Sequence, residues 1–434
     1  MYLRKVTIKN VRSIKHFEMT FPEGNEAGWH VIIGDNGSGK SSVVRSIAVA
    51  LIGDRDIMTV RPNWDHWLAV SAKESTTELE VFMKDEEYKT QKLRGDLTIH
   101  LTFHLKMVGQ NGLRMVEHDF KTQVINSQSR KTWEDFSHGV FSVAYGPFRR
   151  FTGGNAEWNK VYYSSQKAGA HLSVFGEDIA LTEALSWLQQ LDYERLKEAE
   201  GDKKVAKKAH LTLDGIRKLI NQSGFLPYDA TFENIGKEGL PLFKDGNGNL
   251  INVTQMSDGF RSILSLTFEL IRQLISQFGV DAVFKNNQDF IDCEGVVLID
   301  EIDAHLHPTW QTRIGQWFTK FFPKLQFIVT THSPLICRAC EKGSIWRLAA
   351  PGSEIPSGEI TGIDRDRLIY GDVLDAYGTD LFGPNIERTQ ESAELLKEYA
   401  RLDRLYTFGQ ITAEQDEKRK RLQQIFSNNV EADF

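Results

Sequence analysis

One short stretch constrains this chain more than any other. The segment GDNGSGKSS places Gly34, Asp35, Asn36, Gly37, Ser38, Gly39, Lys40, Ser41 and Ser42 between the apolar run WHVII and the helix-periodic segment VVRSIAVALIG. That is the spacing G-x-x-x-x-G-K-[ST] in its required strand-to-helix setting. A chance match somewhere in such a chain is on the order of a few per cent, and the flanking pattern lowers that further. The glycines let backbone N–H groups curl around phosphates, and the following helix N-terminus adds positive potential. Lys40 is positioned for the β- and γ-phosphates and Ser41 for Mg²⁺, so the loop predicts a site for ATP.

A second motif completes the first. VVLIDE, ending at Asp300 and Glu301, is a buried-strand pattern that delivers two carboxylates at its C-terminal edge, where open α/β sheets bind ligands. Asp300 is the expected Mg²⁺ ligand and Glu301 the expected residue that polarises the attacking water. An acidic pair after a core strand is by itself an ordinary surface feature, and it gains meaning from the phosphate loop upstream. QFIVTTHSP then ends another apolar run at His332, placed to hydrogen-bond a γ-phosphate.

The remaining pattern alternates strand and helix. YLRKVTIKNVRSIKHFEMTF, TTELEVFM and DLTIHLTFHLKM read as strands, the first opening with no proline. VFSVAYGPF is another apolar run, ending at Gly146-Pro147. From Glu183 to Gly224 the chain turns charged and helical, too short for a long coiled-coil arm at about 1.5 Å per residue. A helix beginning near Asp258 precedes VVLIDE. Strands alternating with helices predict a largely parallel sheet.

These motifs, with NVTQMSDGFRSILSL between them, make the chain resemble the ABC-type ATPase heads of the SMC/RecF group. The resemblance implies an α/β P-loop head with a mixed sheet and antiparallel N-terminal strands, while the charged central stretch reads as a helical lobe insertion and the tail as a C-terminal helical appendage. The corresponding boundaries are 1–182 and 225–384 for the two halves of the head, 183–224 for the insertion and 385–434 for a helical docking region. Met256-Ser257-Asp258-Gly259-Phe260 is similar to the group's signature, whose serine and glycine meet the γ-phosphate held by a second copy. Ser257 and Gly259 match; Asp258 and Phe260 depart, and the added carboxylate would repel phosphate. The same stretch also reads as a plain helix N-cap. Asn10, Arg12 and Ser13 resemble an element near the nucleotide, and Asp303 falls at the group's D-loop.

The resemblance has one gap. The group carries a glutamine after the strand preceding its insertion, whereas this chain reads AYGPFRRF there, with Gln166 the nearest later glutamine. The run Tyr145-Gly-Pro-Phe-Arg149-Arg150, together with LDAYGTDLFG near the end, is most similar to the ATPase subunits of Septu-type, retron-associated antiphage systems. That likeness implies a regulatory ATPase, a homodimer across the ATP sites, an HNH-type nuclease partner, and DNA or retron nucleic acid as a further candidate.

Other classes are weighed against it. A RecF-like repair ATPase that binds DNA is the alternative. The net charge of −7 provides no global basic footprint for it, and Lys203, Lys204, Lys207 and Lys208 read as a solvated helical face. A transporter ATPase lacks its coupling glutamine here, and too few residues follow His332 for a TOPRIM nuclease domain. No apolar run approaches the roughly 20 residues that span a bilayer, and three cysteines form no disulfide framework, so a cytoplasmic setting is expected. Cys337 and Cys340 read as a buried helical pair, and His305 and His307 as a helix start. In the tail, Leu395, Leu396, Tyr399, Leu402 and Leu405 form an apolar stripe and Thr412 caps a second helix. The hairpin either packs on its own head or serves as a docking surface.

Overall fold

The computed structural model describes residues 1–60, 64, 66–70, 72–87, 95–110, 113–125, 127, 129–149, 165–176, 182–197, 203–222, 225–226, 229–285, 289–373 and 390–426. Arg150, the LDAYGTDLFG stretch and Gly224 lie outside them. The chain forms two compact units, 1–371 and 372–434.

Three sheets organise the first unit. Strands β1 (Tyr2–Val11), β2 (Ile14–Thr20), β4 (Glu74–Met83), β5 (Leu97–Gln110) and β6 (Leu113–Val124) make an antiparallel sheet in the order β2-β1-β4-β5-β6. Strands β3 (Gly28–Ile33), β7 (Ser142–Tyr145), β11 (Gly295–Ile299), β12 (Leu325–Thr331), β13 (Gly343–Arg347) and β14 (Gly358–Ile360) form the second, ordered β14-β13-β3-β12-β11-β7. All its neighbours are parallel except β13 and β14. β8 (Thr231–Ile235), β9 (Pro241–Lys244) and β10 (Leu250–Asn252) make a small third sheet. The head is therefore mixed, with a parallel core and an antiparallel N-terminal layer.

The parallel strands are buried on both faces, as crossover helices require; β3, β11 and β12 are buried along their whole length. Helix α1 (Lys40–Ile52) follows β3, and only Ser41 and Arg45 among its residues escape full burial. It joins both large sheets in one core: Val43, Ile47 and Leu51 pack in the cluster that holds Ile8 and Phe103 from one sheet and Leu298 and Ile328 from the other. A side-chain amide adds a polar clamp between the layers. Gln326 of β12 accepts the Leu3 N–H at 2.7 Å and donates to the Leu3 carbonyl at 2.9 Å. Being fully buried, this amide has both polar groups satisfied.

Helices α2 (Asp54–Val60), α3 (Trp133–Ser137) and α4 (Gln166–His171) follow, then α5 (Thr182–Leu196) and α6 (Lys203–Ile220) in the charged central region. The long helix α7 (Asp258–Phe278) leads into β11, and α8 (Pro308–Phe321) connects β11 to β12. α9 (Gly362–Tyr370) follows β14. In the second unit, α10 (Gln390–Thr407) and α11 (Ala413–Phe426) form a hairpin around Tyr399, Leu402, Leu422 and Phe426. Thr412 begins α11: its hydroxyl accepts the Gln415 N–H at 3.3 Å while Gln415 accepts the Thr412 N–H at 3.1 Å. Leu395, Phe408 and Ile425 stay exposed.

A buried histidine makes part of this stability pH-dependent. His30 on β3 has one ring nitrogen 2.8 Å from the Ser344 hydroxyl and the other 2.8 Å from the Glu26 carbonyl. The carbonyl can only accept, so that nitrogen carries the proton and the other accepts from Ser344. Burial pushes the ring down from 6.5 to about 4. Its folded value lies below its unfolded value, so the unfolded chain binds the extra proton first. The contribution is full above pH 6.5 and is lost as pH falls toward 4, about 3 kcal/mol in all. His30→Gln removes this titration. Urea titrations should find the wild-type advantage over the variant shrinking by about that amount between pH 7 and pH 4; a constant gap would show that His30 does not titrate in this way.

Candidate functional site

The register of the parallel sheet brings four segments to one edge. Ile33 pairs with Thr331, while Ile299 pairs with Val329 on one side and Tyr145 on the other. The chain leaving β3, β7, β11 and β12 therefore emerges at the same end. These exits carry Gly34–Ser42, Arg149, Asp300 with Glu301, and His332 respectively.

The loop after β3 has the geometry that phosphates need. Gly39 sits at φ 108°, in the left-handed region where a side chain is strained. A Cβ there would also stand 2.7 Å from the Ser13 hydroxyl. Ser13 in turn donates to the Ser38 carbonyl at 3.1 Å, so the β1–β2 turn braces the loop. Asn10 and Arg12 both adopt positive φ in that turn. The Arg12 guanidinium lies over the Trp67 ring, 5.3 Å from its centroid.

Lys40 converges with the residues across the sheet. Its ammonium donates to the Gly34 carbonyl at 2.6 Å and the Asp35 carbonyl at 3.0 Å, and lies 3.3 Å from a His332 ring nitrogen. Burial lowers the Lys40 ammonium from its ordinary value, against opposing pulls from Glu301, Asp300, Asp303 and Asp35. Burial and then the Lys40 charge lower His332, so its ring favours the neutral form. The His332 backbone N–H donates to Asp303 Oδ2 at 3.4 Å.

Asp300 and Glu301 are held by a hydroxyl that the sequence pattern did not reveal. Thr330 of β12 donates to Asp300 Oδ1 at 2.6 Å and accepts the Glu301 N–H at 2.8 Å. Glu301 is held at φ 47°, a strained setting for a non-glycine residue of the kind found at active sites. Asp300 Oδ2 and Asp303 Oδ1 are buried with no hydrogen-bond partner among the described residues. A buried, orphaned carboxylate oxygen facing a phosphate loop fits a divalent cation. Ser41 in the first turn of α1 and Asp300 would offer a divalent cation hard oxygens of the kind Mg²⁺ prefers. Among the described residues, no cluster of three or more His, Cys, Asp or Glu residues could hold a metal by itself.

Ser257 is exposed at the N-cap of α7, and Asp258 forms an ion pair with Arg261 one turn on. The carboxylate that departs from the signature pattern thus has a cation beside it. A Cβ on Gly259 would stand 2.6 Å from the His305 carbonyl, so only glycine allows this helix to approach the segment after Asp303. Phe260 packs on Trp310 of α8 with ring centroids 4.7 Å apart.

Other residues singled out from the sequence lie elsewhere. Gln166 at the start of α4 donates to Ser276 near the far end of α7. Ser262 lies fourteen positions earlier on that helix, about 21 Å away by helical rise, and Ser262 is the residue of α7 that bonds Arg149 beside the Asp300–Glu301 backbone. Gln166 thus bonds away from the carboxylate loop, whereas Arg149, part of the run after β7, bonds to the carbonyls of Asp300 and Glu301. Cys337 and Cys340 are buried, and burial raises both thiols. His307 caps α8, and Lys203, Lys204, Lys207 and Lys208 are exposed along α6.

A phosphate loop, a carboxylate pair of which Asp300 is buried, and a histidine at a strand tip share one parallel-sheet edge, with an antiparallel layer packed across α1. Together they define an ABC-type ATPase head of the SMC/RecF kind. The chain belongs to the AAA domain family, whose description matches residues 5–222, and a second AAA-domain description, that of Type IV TA systems, matches residues 157–338. It is similar to the Septu protein PtuA of Bacillus mycoides (strain KBAB4), 26% identical over 79% of this chain and 40% of the relative. The Retron Ec83 probable ATPase of Escherichia coli is 40% identical over 29% of this chain and 22% of the relative. The chain thus spans less than half the length of both relatives over the matched regions. Among solved structures, the SMC head domain from Thermotoga maritima aligns over 83% of this chain and 99% of that chain, with a TM-score of 0.39 and 14% identity. An Smc head from Pyrococcus furiosus bound to the C-terminal domain of ScpA covers 83% and 96%, with a TM-score of 0.45 and 14% identity. No helix among the described residues is long and apolar enough to cross a membrane.

Proposed function

We propose that this chain binds Mg·ATP, dimerises around two ATP molecules and hydrolyses them, and that it is the regulatory ATPase of an antiphage complex controlling an HNH-type nuclease. The observation that carries the catalytic part is the convergence of Lys40, Asp300, Glu301 and His332 on one sheet edge. Lys40 neutralises the terminal phosphates, and the loop N–H groups from Gly34 to Ser42 cradle them. Ser41 and Asp300 hold Mg²⁺, which when bound offsets phosphate charge. Glu301 orients and polarises the attacking water, and neutral His332 hydrogen-bonds the γ-phosphate. The antiphage role rests on the likeness to the Septu and retron proteins. The hairpin of α10 and α11, with Leu395, Phe408 and Ile425 outside its own core, is the proposed docking element for another subunit.

Dimerisation has a direct test. Ser257 is exposed at a helix start, so Ser257→Arg adds a long cation to the proposed seam without entering the core. Light scattering with ATP should give the dimer mass for the wild type and the monomer mass for the variant. Cells carrying the variant with its neighbouring genes should lose protection against phage. An unchanged mass with ATP counts against the seam; a lost dimer with full protection counts against the dimer's role.

A further inference from the structure

Arg149 stands just past β7, and it is 3% exposed. Its guanidinium has five N–H donors, and each has an acceptor. Nε donates to the Ser262 hydroxyl of α7 at 3.1 Å. One terminal nitrogen donates to the Gly146 and Asp300 carbonyls, both at 2.8 Å. The other donates to the Glu301 carbonyl at 2.9 Å and to the Ile302 carbonyl at 3.4 Å. Three consecutive carbonyls of the carboxylate loop are thus gathered on one cation. Burial lowers the guanidinium to about 10, with Asp300, Asp303 and Glu301 pulling the other way, so it stays charged at neutral pH.

The effect falls on Glu301. Its backbone sits at φ 47°, which persists only where surrounding groups over-determine it. Thr330 grips the N–H of this residue and Arg149 its carbonyl. The same guanidinium reaches Ser262, one turn beyond Gly259 on the helix that begins at Ser257. One side chain therefore ties the carboxylate loop to the helix whose start would face a second head.

We propose that Arg149 is a positioning residue: it fixes the strained backbone of Glu301 and couples that carboxylate to helix α7. The proposal rests on the ATPase reading above. Lysine has three donors and no planar fork, so Arg149→Lys keeps the charge but cannot hold all five acceptors.

Steady-state and equilibrium measurements on the full chain test this. Arg149→Lys should lower kcat by about 100-fold, the order expected from a misplacement near 1 Å, with the Kd for ATP within about twofold of wild type because the phosphate loop is untouched. Adding Arg149→Lys to Glu301→Gln should cost no further turnover, since both changes act through one carboxylate. Ser262→Ala breaks a single hydrogen bond and leaves the apolar packing intact; it should lower kcat about tenfold with only a small fall in Tm. An unchanged kcat in Arg149→Lys and Ser262→Ala overturns the proposal, as does an additive loss in the double variant. If Arg149→Lys fails to fold, Ser262→Ala alone decides. If Lys40→Ala also leaves hydrolysis intact, the ATPase reading has failed; if Lys40→Ala abolishes it while Arg149→Lys and Ser262→Ala do not, only this inference has.

Discussion

Lys40→Ala should remove nucleotide binding. The ammonium is the buried cation at the centre of the loop, 3.3 Å from His332 and bonded to two loop carbonyls. Hydrogen bonds to charged groups contribute about 1.5–3 kcal/mol each. Losing contacts to two phosphates therefore weakens binding by at least about 3 kcal/mol, more than 100-fold. The alanine also leaves Asp300, Glu301, Asp303 and Asp35 without the cation they face, which adds repulsion toward the incoming phosphates. Helix α1 keeps its apolar face, so the fold should survive. Isothermal titration is the check: an ATP affinity equal to wild type would refute the site assignment.

Glu301→Gln should act on turnover and spare affinity. The amide keeps the shape of the carboxylate but loses the charge that polarises water. The backbone grips from Thr330 and Arg149 do not involve the side chain, so the loop geometry should hold. We expect kcat to fall by about 10²–10⁴-fold, the range for loss of a positioned base, with the Kd for ATP unchanged. The variant should accumulate as an ATP-bound dimer. Single-turnover hydrolysis at the wild-type rate would remove Glu301 from the catalytic role.

The site was legible where chemistry and strand pattern coincide. The phosphate loop, Asp300 with Glu301, and His332 each follow an apolar run and stand at its polar tip, so periodicity located them and residue type suggested their roles. Arg149 was opaque for a physical reason: its partners are backbone carbonyls, which every residue has and no motif records. Thr330 was hidden because a β-branched hydroxyl inside an apolar strand reads as one more strand former. In the fold, the parallel core was readable from its continuous apolar runs. β6 was missed although its exposed Glu117, Asp119 and Lys121 alternate as in a half-buried strand, and β8, β9 and β10 because three to five residues of mixed polarity, unlike the wholly apolar β11, carry too little pattern to register. Gln166 stood out by nearness in sequence, and its amide bonds Ser276 toward the far end of α7.

The sheet order also sets a timetable for making the protein. β3, which carries the phosphate loop, is flanked by β12 and β13, and the opening strand is clamped to Gln326 across a separation of 323 residues. At about 5–20 residues per second on the ribosome, that separation corresponds to about 16–65 s. For most of this interval β3 has neither neighbour, and its two unpaired edges are open to wrong partners. An N-terminal fragment ending before Leu325 would hold every residue of GDNGSGKSS without either strand that sets the loop in place.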